Sequence, residues 1–242
     1  MKMHKFAIMS LAAAALSSSA LADPVLTIKF DVDGGQSTVT QTGTLTGFGD
    51  YSYTGAFSDK FPGTTWAVGW DIASQANTNS YVTNGFTVTN FSNSTKQFKI
   101  TLEVTATDPG GVNWSYYGNI GGALTSDSGA ASTLSSVGSN PLWQGLRGGT
   151  SPGPNSELMK FFSITSPGAT TTPLSSVNIV PYAVAGPLGP SLGYEFLFNL
   201  TGKSTVAFTG IWGATSIPIP APGAMALVGV AGILVQKRRR VA

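Results

Sequence analysis

The chain has 242 residues, with 13 Lys and Arg against 11 Asp and Glu, a formal charge of +2 at pH 7, no cysteine and one histidine. The absence of cysteine excludes disulfides, thiol nucleophiles and thiolate metal sites. The histidine, His4, sits in a leading segment that reads as removable, so the rest of the chain has no Ser-His-Asp or Cys-His catalysis and no imidazole site for zinc or copper.

The leading segment has the order of a secretion signal. Lys2 and Lys5 make a basic start, residues 6–16 are apolar and rich in alanine, and Ala20-Leu21-Ala22 is a small-x-small cleavage site. The apolar run is too short to cross about 30 Å of hydrocarbon at about 1.5 Å per residue. Residues 1–22 are therefore expected to be a signal peptide, removed after Ala22 to leave Asp23 as the N-terminus. Between this signal and a basic C-terminal segment lie seven basic residues, Lys29, Lys60, Lys96, Lys99, Arg147, Lys160 and Lys203, against all eleven acids, a net charge of −4. The basicity belongs to the two ends, and no basic patch remains for nucleic acid.

Alternation of apolar and polar residues marks strands along residues 23–217. The first are expected at residues 25–30, 37–45, 51–57 and 65–72. Phe98, Ile100, Leu102, Val104 and Ala106 alternate with polar residues, and Phe86, Val88 and Phe91 read as their partner, joined by a turn at 92–96. Residues 118–154 are dominated by Gly, Ser and Asn and read as long loops with short strands. Strands follow at 159–164 and, after a Pro/Thr-rich connection at 166–173, at 177–184. Tyr194, Phe196, Phe198 and Leu200 alternate, Gly202-Lys203 turns the chain, and Val206, Phe208 and Gly210 return, which reads as a second hairpin. Many short strands with frequent turn residues imply an all-β domain, a β-sandwich or jelly roll of antiparallel strands.

The chemistry left to this domain is narrow. Gly202-Lys203-Ser204 matches the end of a phosphate-binding loop, but Leu197 stands where that motif needs glycine and a strand follows where it needs a helix. No lysine between the two ends has a serine three residues before it, as a Ser/Lys nucleophile would. Glycan hydrolysis needs only two carboxylates. Asp31, Asp33, Asp50, Asp59, Asp71, Asp108, Asp127, Glu103, Glu157 and Glu195 are available, with Glu103 and Glu195 on the polar phase of their strands. Asp31-Val32-Asp33-Gly34-Gly35 begins like a calcium loop but lacks the later ligands and the terminal glutamate, so a polar β-turn is favoured and Asp31 and Asp33 remain a weak metal candidate. Trp66 and Trp70 share a face with Val68, which points to the core. Trp114 and Tyr116, amid Gly and Asn, are expected as an exposed pair that could stack on sugar rings. No cofactor is called for.

The chain ends with Pro218-Ile219-Pro220-Ala221-Pro222-Gly223, an apolar run at 224–235 covering about 18 Å as a helix, and Lys237-Arg238-Arg239-Arg240. The cluster would stay cytoplasmic by the positive-inside tendency. Pro220, Ala221, Pro222, Gly223, the apolar run and Arg238, Arg239 and Arg240 resemble the PEP-CTERM sorting signal of bacterial exported proteins. Ala221 stands where the name-giving motif has glutamate, a Pro-Ala-Pro-Gly form that looks like a variant of it. The resemblance implies that residues 218–242 are recognised by an exosortase-type membrane enzyme after passage through the secretion machinery, with a transient membrane stop and delivery to the envelope or extracellular matrix. The expected function is a non-enzymatic surface or matrix protein of structural or adhesive type. The alternatives are an exopolysaccharide-binding module, a carboxylate-dependent glycan hydrolase, and an ice-binding protein.

Overall fold

Leu26, Ile28, Phe30 and Val32 alternate with Thr27, Lys29 and Asp31, and this period of two buries the first set and leaves the second at the surface. The same rule organises a computed structural model that describes residues 23–47, 49–59, 63–75, 79–106 and 112–218. The residues expected at the signal cleavage site, Ala20 and Ala22, and those expected in the sorting signal, Pro220, Ala221, Pro222, Gly223, Arg238, Arg239 and Arg240, lie outside the described residues, as does the apolar run at 224–235. Among the described residues no helix is long and apolar enough to cross a membrane.

The strands are β1 Val25–Val32, β2 Gly35–Thr42, β3 Thr44–Gly47, β4 Asp50–Ser58, β5 Trp66–Gln75, β6 Asn79–Asn90, β7 Lys96–Thr105 and β8 Val112–Ser126, followed by β9 Ser132–Ser136, β10 Pro141–Arg147, β11 Glu157–Lys160, β12 Ser163–Ser166, β13 Thr171–Val184, β14 Ser191–Leu200 and β15 Ser204–Pro218. They form two antiparallel sheets packed as a sandwich. Sheet A is eight-stranded, with order β11-β10-β14-β7-β1-β2, β9 pairing with β14 and β12 with β9. Sheet B is seven-stranded, with order β13-β8-β15-β6-β5-β4-β3. The fold is the all-β sandwich that the alternation implies.

Both expected hairpins are instead crossings between the sheets. β6 lies in sheet B and β7 in sheet A, while β14 lies in sheet A and β15 in sheet B. Each strand has one buried, mainly apolar face, and facing across the sandwich buries these faces against each other. Phe208 accordingly packs on Phe196 at 4.6 Å and on Phe198 at 5.4 Å between ring centroids. In the sheets themselves β14 pairs with β7 and β15 with β6. The two crossings are tied together by Asn90, which is fully buried. Its Nδ2 donates to the carbonyls of Ser94 and Leu200, both at 2.9 Å, and its Oδ1 accepts from the Ser92 amide at 3.1 Å and the Ser92 hydroxyl at 2.6 Å.

The Gly-rich region 118–154, expected as long loops with short strands, holds β9, β10 and the C-terminal part of β8, a 15-residue strand that pairs with β15 along its whole length. Its inward series is Trp114, Tyr116, Gly118, Ile120, Gly122 and Leu124, and the glycines conceal the period. One of them has a packing reason. A Cβ on Gly118 would lie 3.0 Å from the Trp212 ring, and one on Gly145 would lie 2.5 Å from it. The indole fills the room these two glycines leave, and its Nε1 donates to the Leu146 carbonyl at 2.9 Å. Residues 159–164, expected as one strand, divide into β11 and β12 around Phe161, whose φ is +52°.

Candidate functional site

All the tryptophans are in the core. Trp66 and Trp70 are buried beside Val68, as their shared phase requires. Trp114 and Tyr116 are also buried, each with 0 % exposure, which corrects the expected exposed pair. The segment is extended, but the pair lies on the inward phase of β8, where Tyr116 stacks on Trp212 at 5.4 Å and packs on Tyr182 at 5.9 Å. A sugar ring has no access to either side chain.

Asp31 and Asp33 serve the β1–β2 hairpin. Asp33 and Gly34 form its two-residue turn, with φ +50° and +85°, the left-handed values such a turn needs and Gly supplies without strain. Asp31 Oδ1 accepts from the Gly34 amide at 3.0 Å. Asp33 Oδ1 accepts from the Gln97 amide at 2.9 Å, and Oδ2 pairs with Lys96 Nζ at 2.9 Å. Burial alone would push the Asp33 carboxyl up, but the Gln97 amide and the Lys96 ammonium together hold it below its ordinary range. Both aspartates are thus engaged by the chain itself, and among the described residues no group of three or more His, Asp or Glu side chains is placed to hold a metal ion. Lys203 has φ +56° in the crossing to β15, so the phosphate-loop look-alike is a turn.

A polar trough of about 390 Å³ lies on the outer face of sheet A. It is lined by Lys29 and Asp31 of β1, Gln36 and Thr38 of β2, Lys99, Thr101 and Glu103 of β7, and Glu195 of β14. The register sets these side chains in rows. Thr38, Lys29, Thr101, Glu195, Gln144 and Glu157 are directly opposed on six successive strands, β2, β1, β7, β14, β10 and β11. At about 4.8 Å per strand that row is roughly 24 Å long. Glu103 lies one row away, opposite Thr27 and Gly193. Glu103 and Glu195 are therefore diagonal neighbours on adjacent strands, roughly 7–8 Å apart at the backbone.

The trough and the row that continues it to β11 are internally bonded. Thr101 Oγ1 donates to Glu195 Oε2 at 3.0 Å, and Lys99 Nζ lies 3.3 Å from the same oxygen. Ser191 Oγ donates to Glu103 Oε1 at 2.7 Å. Gln144 Nε2 donates to Glu157 Oε1 at 3.1 Å, and Lys160 pairs with Glu157. These contacts use one oxygen of Glu103 and one of Glu195, and Lys29 is exposed with no ion pair among the described residues. The surface presents hydroxyl, amide, carboxylate and ammonium groups in fixed positions, with the apolar residues of the same strands turned inward.

Alternation marks Lys99, Thr101, Glu103 and Glu195 as outward-facing. It does not show that β1, β7 and β14 are adjacent, since that order joins strands far apart in the chain. No family model, no curated protein and no solved structure matches this chain.

Proposed function

We propose that the protein is an exported surface or matrix protein of structural or adhesive type, whose β-sandwich holds a polar polymer, an exopolysaccharide, along the trough of sheet A. The carrying observation is the continuous polar row from Thr38 to Glu157 across six strands. Its groups are those that bond sugar hydroxyls, and its length suits an extended chain. Because the tryptophans are spent on the core, recognition would rest on hydrogen bonds and not on stacking. Each such bond contributes about 0.5–1.5 kcal/mol net, so a single domain binds weakly and retention grows when several domains engage one polymer. The signal-like N-terminus and the tail resembling a sorting signal support delivery to the place where such a polymer lies.

Affinity electrophoresis through exopolysaccharide from the producing cells tests this reading. Thr101→Val combined with Glu195→Gln should at least halve the retardation of the folded protein. Equal retardation of the variant and the parent would refute the trough as the binding surface.

A second reading rests on one observation, the diagonal placement of Glu103 and Glu195 in the same trough. Two carboxylates on one open face are what a glycan hydrolase requires. New reducing ends on incubation with the polymer, abolished by either Glu103→Gln or Glu195→Gln, would favour hydrolysis over adhesion.

A further inference from the structure

Four edges close the two sheets, and three of them are blunted. Opposite β2, sheet A ends in β11 beside β10 and in β12 beside β9; these two and β3 are each four residues long, and β3 also carries a register shift. β13 is long but holds Pro173 and Pro181 and two breaks in its register. Short strands, prolines and bulges are the devices that keep a sheet edge from pairing with another chain. β2 has none of them. It runs eight residues, Gly35–Thr42, in unbroken register with β1, and it contains no proline and no charge.

The parity of its free groups follows from the hairpin. Gly43 donates to the Pro24 carbonyl at 2.9 Å in continuation of the β1–β2 register. The odd-numbered residues of β2 therefore turn their amides and carbonyls toward β1, and Gln36, Thr38, Thr40 and Thr42 turn theirs to the open edge. The four are exposed, and no bond from the described residues reaches those backbone groups. Around Val39 the segment is symmetric at Thr38 and Thr40 and at Gly35 and Gly43, and the pairs between them, Ser37 with Gln41 and Gln36 with Thr42, are all uncharged polar residues.

We propose that β2 is a self-association edge, and that two copies of this chain pair antiparallel through it about a two-fold axis at Val39. In that register Thr38 faces the partner's Thr40, and Gln36 faces the partner's Thr42. All are residues with free edge groups, so every open amide and carbonyl gains a partner. Threonine opposite threonine is a favourable cross-strand pair, and the absence of charge removes repulsion between copies. An acidic or basic partner finds no complementary charge on the strand, which favours a second copy as the occupant. The pairing is isologous and closes on itself. Because Thr38 also lines the trough, the two troughs would lie on one continuous face, but the pairing does not depend on what the trough binds.

Sedimentation equilibrium of the purified protein over a concentration series should show a monomer–dimer equilibrium. Thr40→Pro removes a free edge amide and no bond to β1, so it should raise the dimer Kd at least about tenfold with circular dichroism and melting unchanged. The chain has no cysteine, which allows a register test. Val39→Cys places the two thiols in a non-hydrogen-bonded pair, with Cα atoms about 4.5 Å apart, within disulfide reach. It should give a covalent dimer on mild oxidation, and Ser37→Cys should not. A monomer at every concentration, open-ended polymers, a dimer indifferent to Thr40→Pro, or equal cross-linking of both cysteine variants would overturn the proposal.

Discussion

Replacing Asn90 with alanine tests how the two sheets are joined. The side chain is fully buried and bonds the carbonyl that ends β14 as well as the loop that begins β7. In Asn90→Ala the Leu200 carbonyl, in a residue with no solvent exposure, loses a partner and gains no water, which costs about 1–3 kcal/mol. Ser94 is exposed, so its carbonyl recovers a water and the loss there is about 0.5–1.5 kcal/mol. The Ser92 contacts are short-range and largely replaceable. The sum is about 3 kcal/mol. For a domain of this size 1 kcal/mol shifts Tm by roughly 2–4 °C, so a fall of about 6–12 °C is expected. Thermal melting by circular dichroism and urea titration should agree, with m unchanged. Asn90→Asp should cost at least as much, because it removes the donor and buries a charge. A fall below about 2 °C in Asn90→Ala would refute the fastening role.

Other outcomes follow from the same geometry. Trp114→Ala should destabilise by about 3–5 kcal/mol, the usual cost of emptying a large aromatic site, whereas its retention on exopolysaccharide, measured on the folded fraction, should not change; a loss of retention without a loss of stability would restore the stacking platform. The depressed Asp33 carboxyl contributes stability that is present above its unfolded value near 3.8 and is lost as pH falls through its folded value. Asp33→Asn should therefore lower stability at neutral pH and flatten the acid limb of a stability–pH profile, and identical limbs in parent and variant would contradict that linkage. Deleting residues 220–242 should release the domain from the envelope without unfolding it, and unchanged fractionation would refute the sorting reading of the tail.

The strands were legible where apolar residues repeat every second position without interruption, as in β1, β7 and β14. β8 was not, because Gly118 and Gly122 occupy two of its inward positions and the aromatic pair before them reads as isolated. Trp212 explains one of those glycines, and a contact to a ring almost a hundred residues away leaves no local signature. The two crossings read as hairpins for a related reason. A short turn of Ser, Asn, Thr or Gly between two alternating segments has the same composition whether the chain returns within a sheet or passes to the other one. Asn90, which marks the difference, is an ordinary turn residue by type. The trough was half visible. The outward phase of Glu103 and Glu195 was readable, but their neighbourhood with Lys29 and Thr38 depends on β1 lying between β7 and β2, which only the sheet order provides.

The trough on sheet A is tested most directly by titrating isotopically labelled protein with exopolysaccharide fragments and following backbone amide shifts. The largest changes should fall on Lys29, Thr38, Thr101, Glu103 and Glu195, in one continuous row across sheet A. Changes confined to the outer face of sheet B, or no saturable change at any concentration, would contradict the proposal.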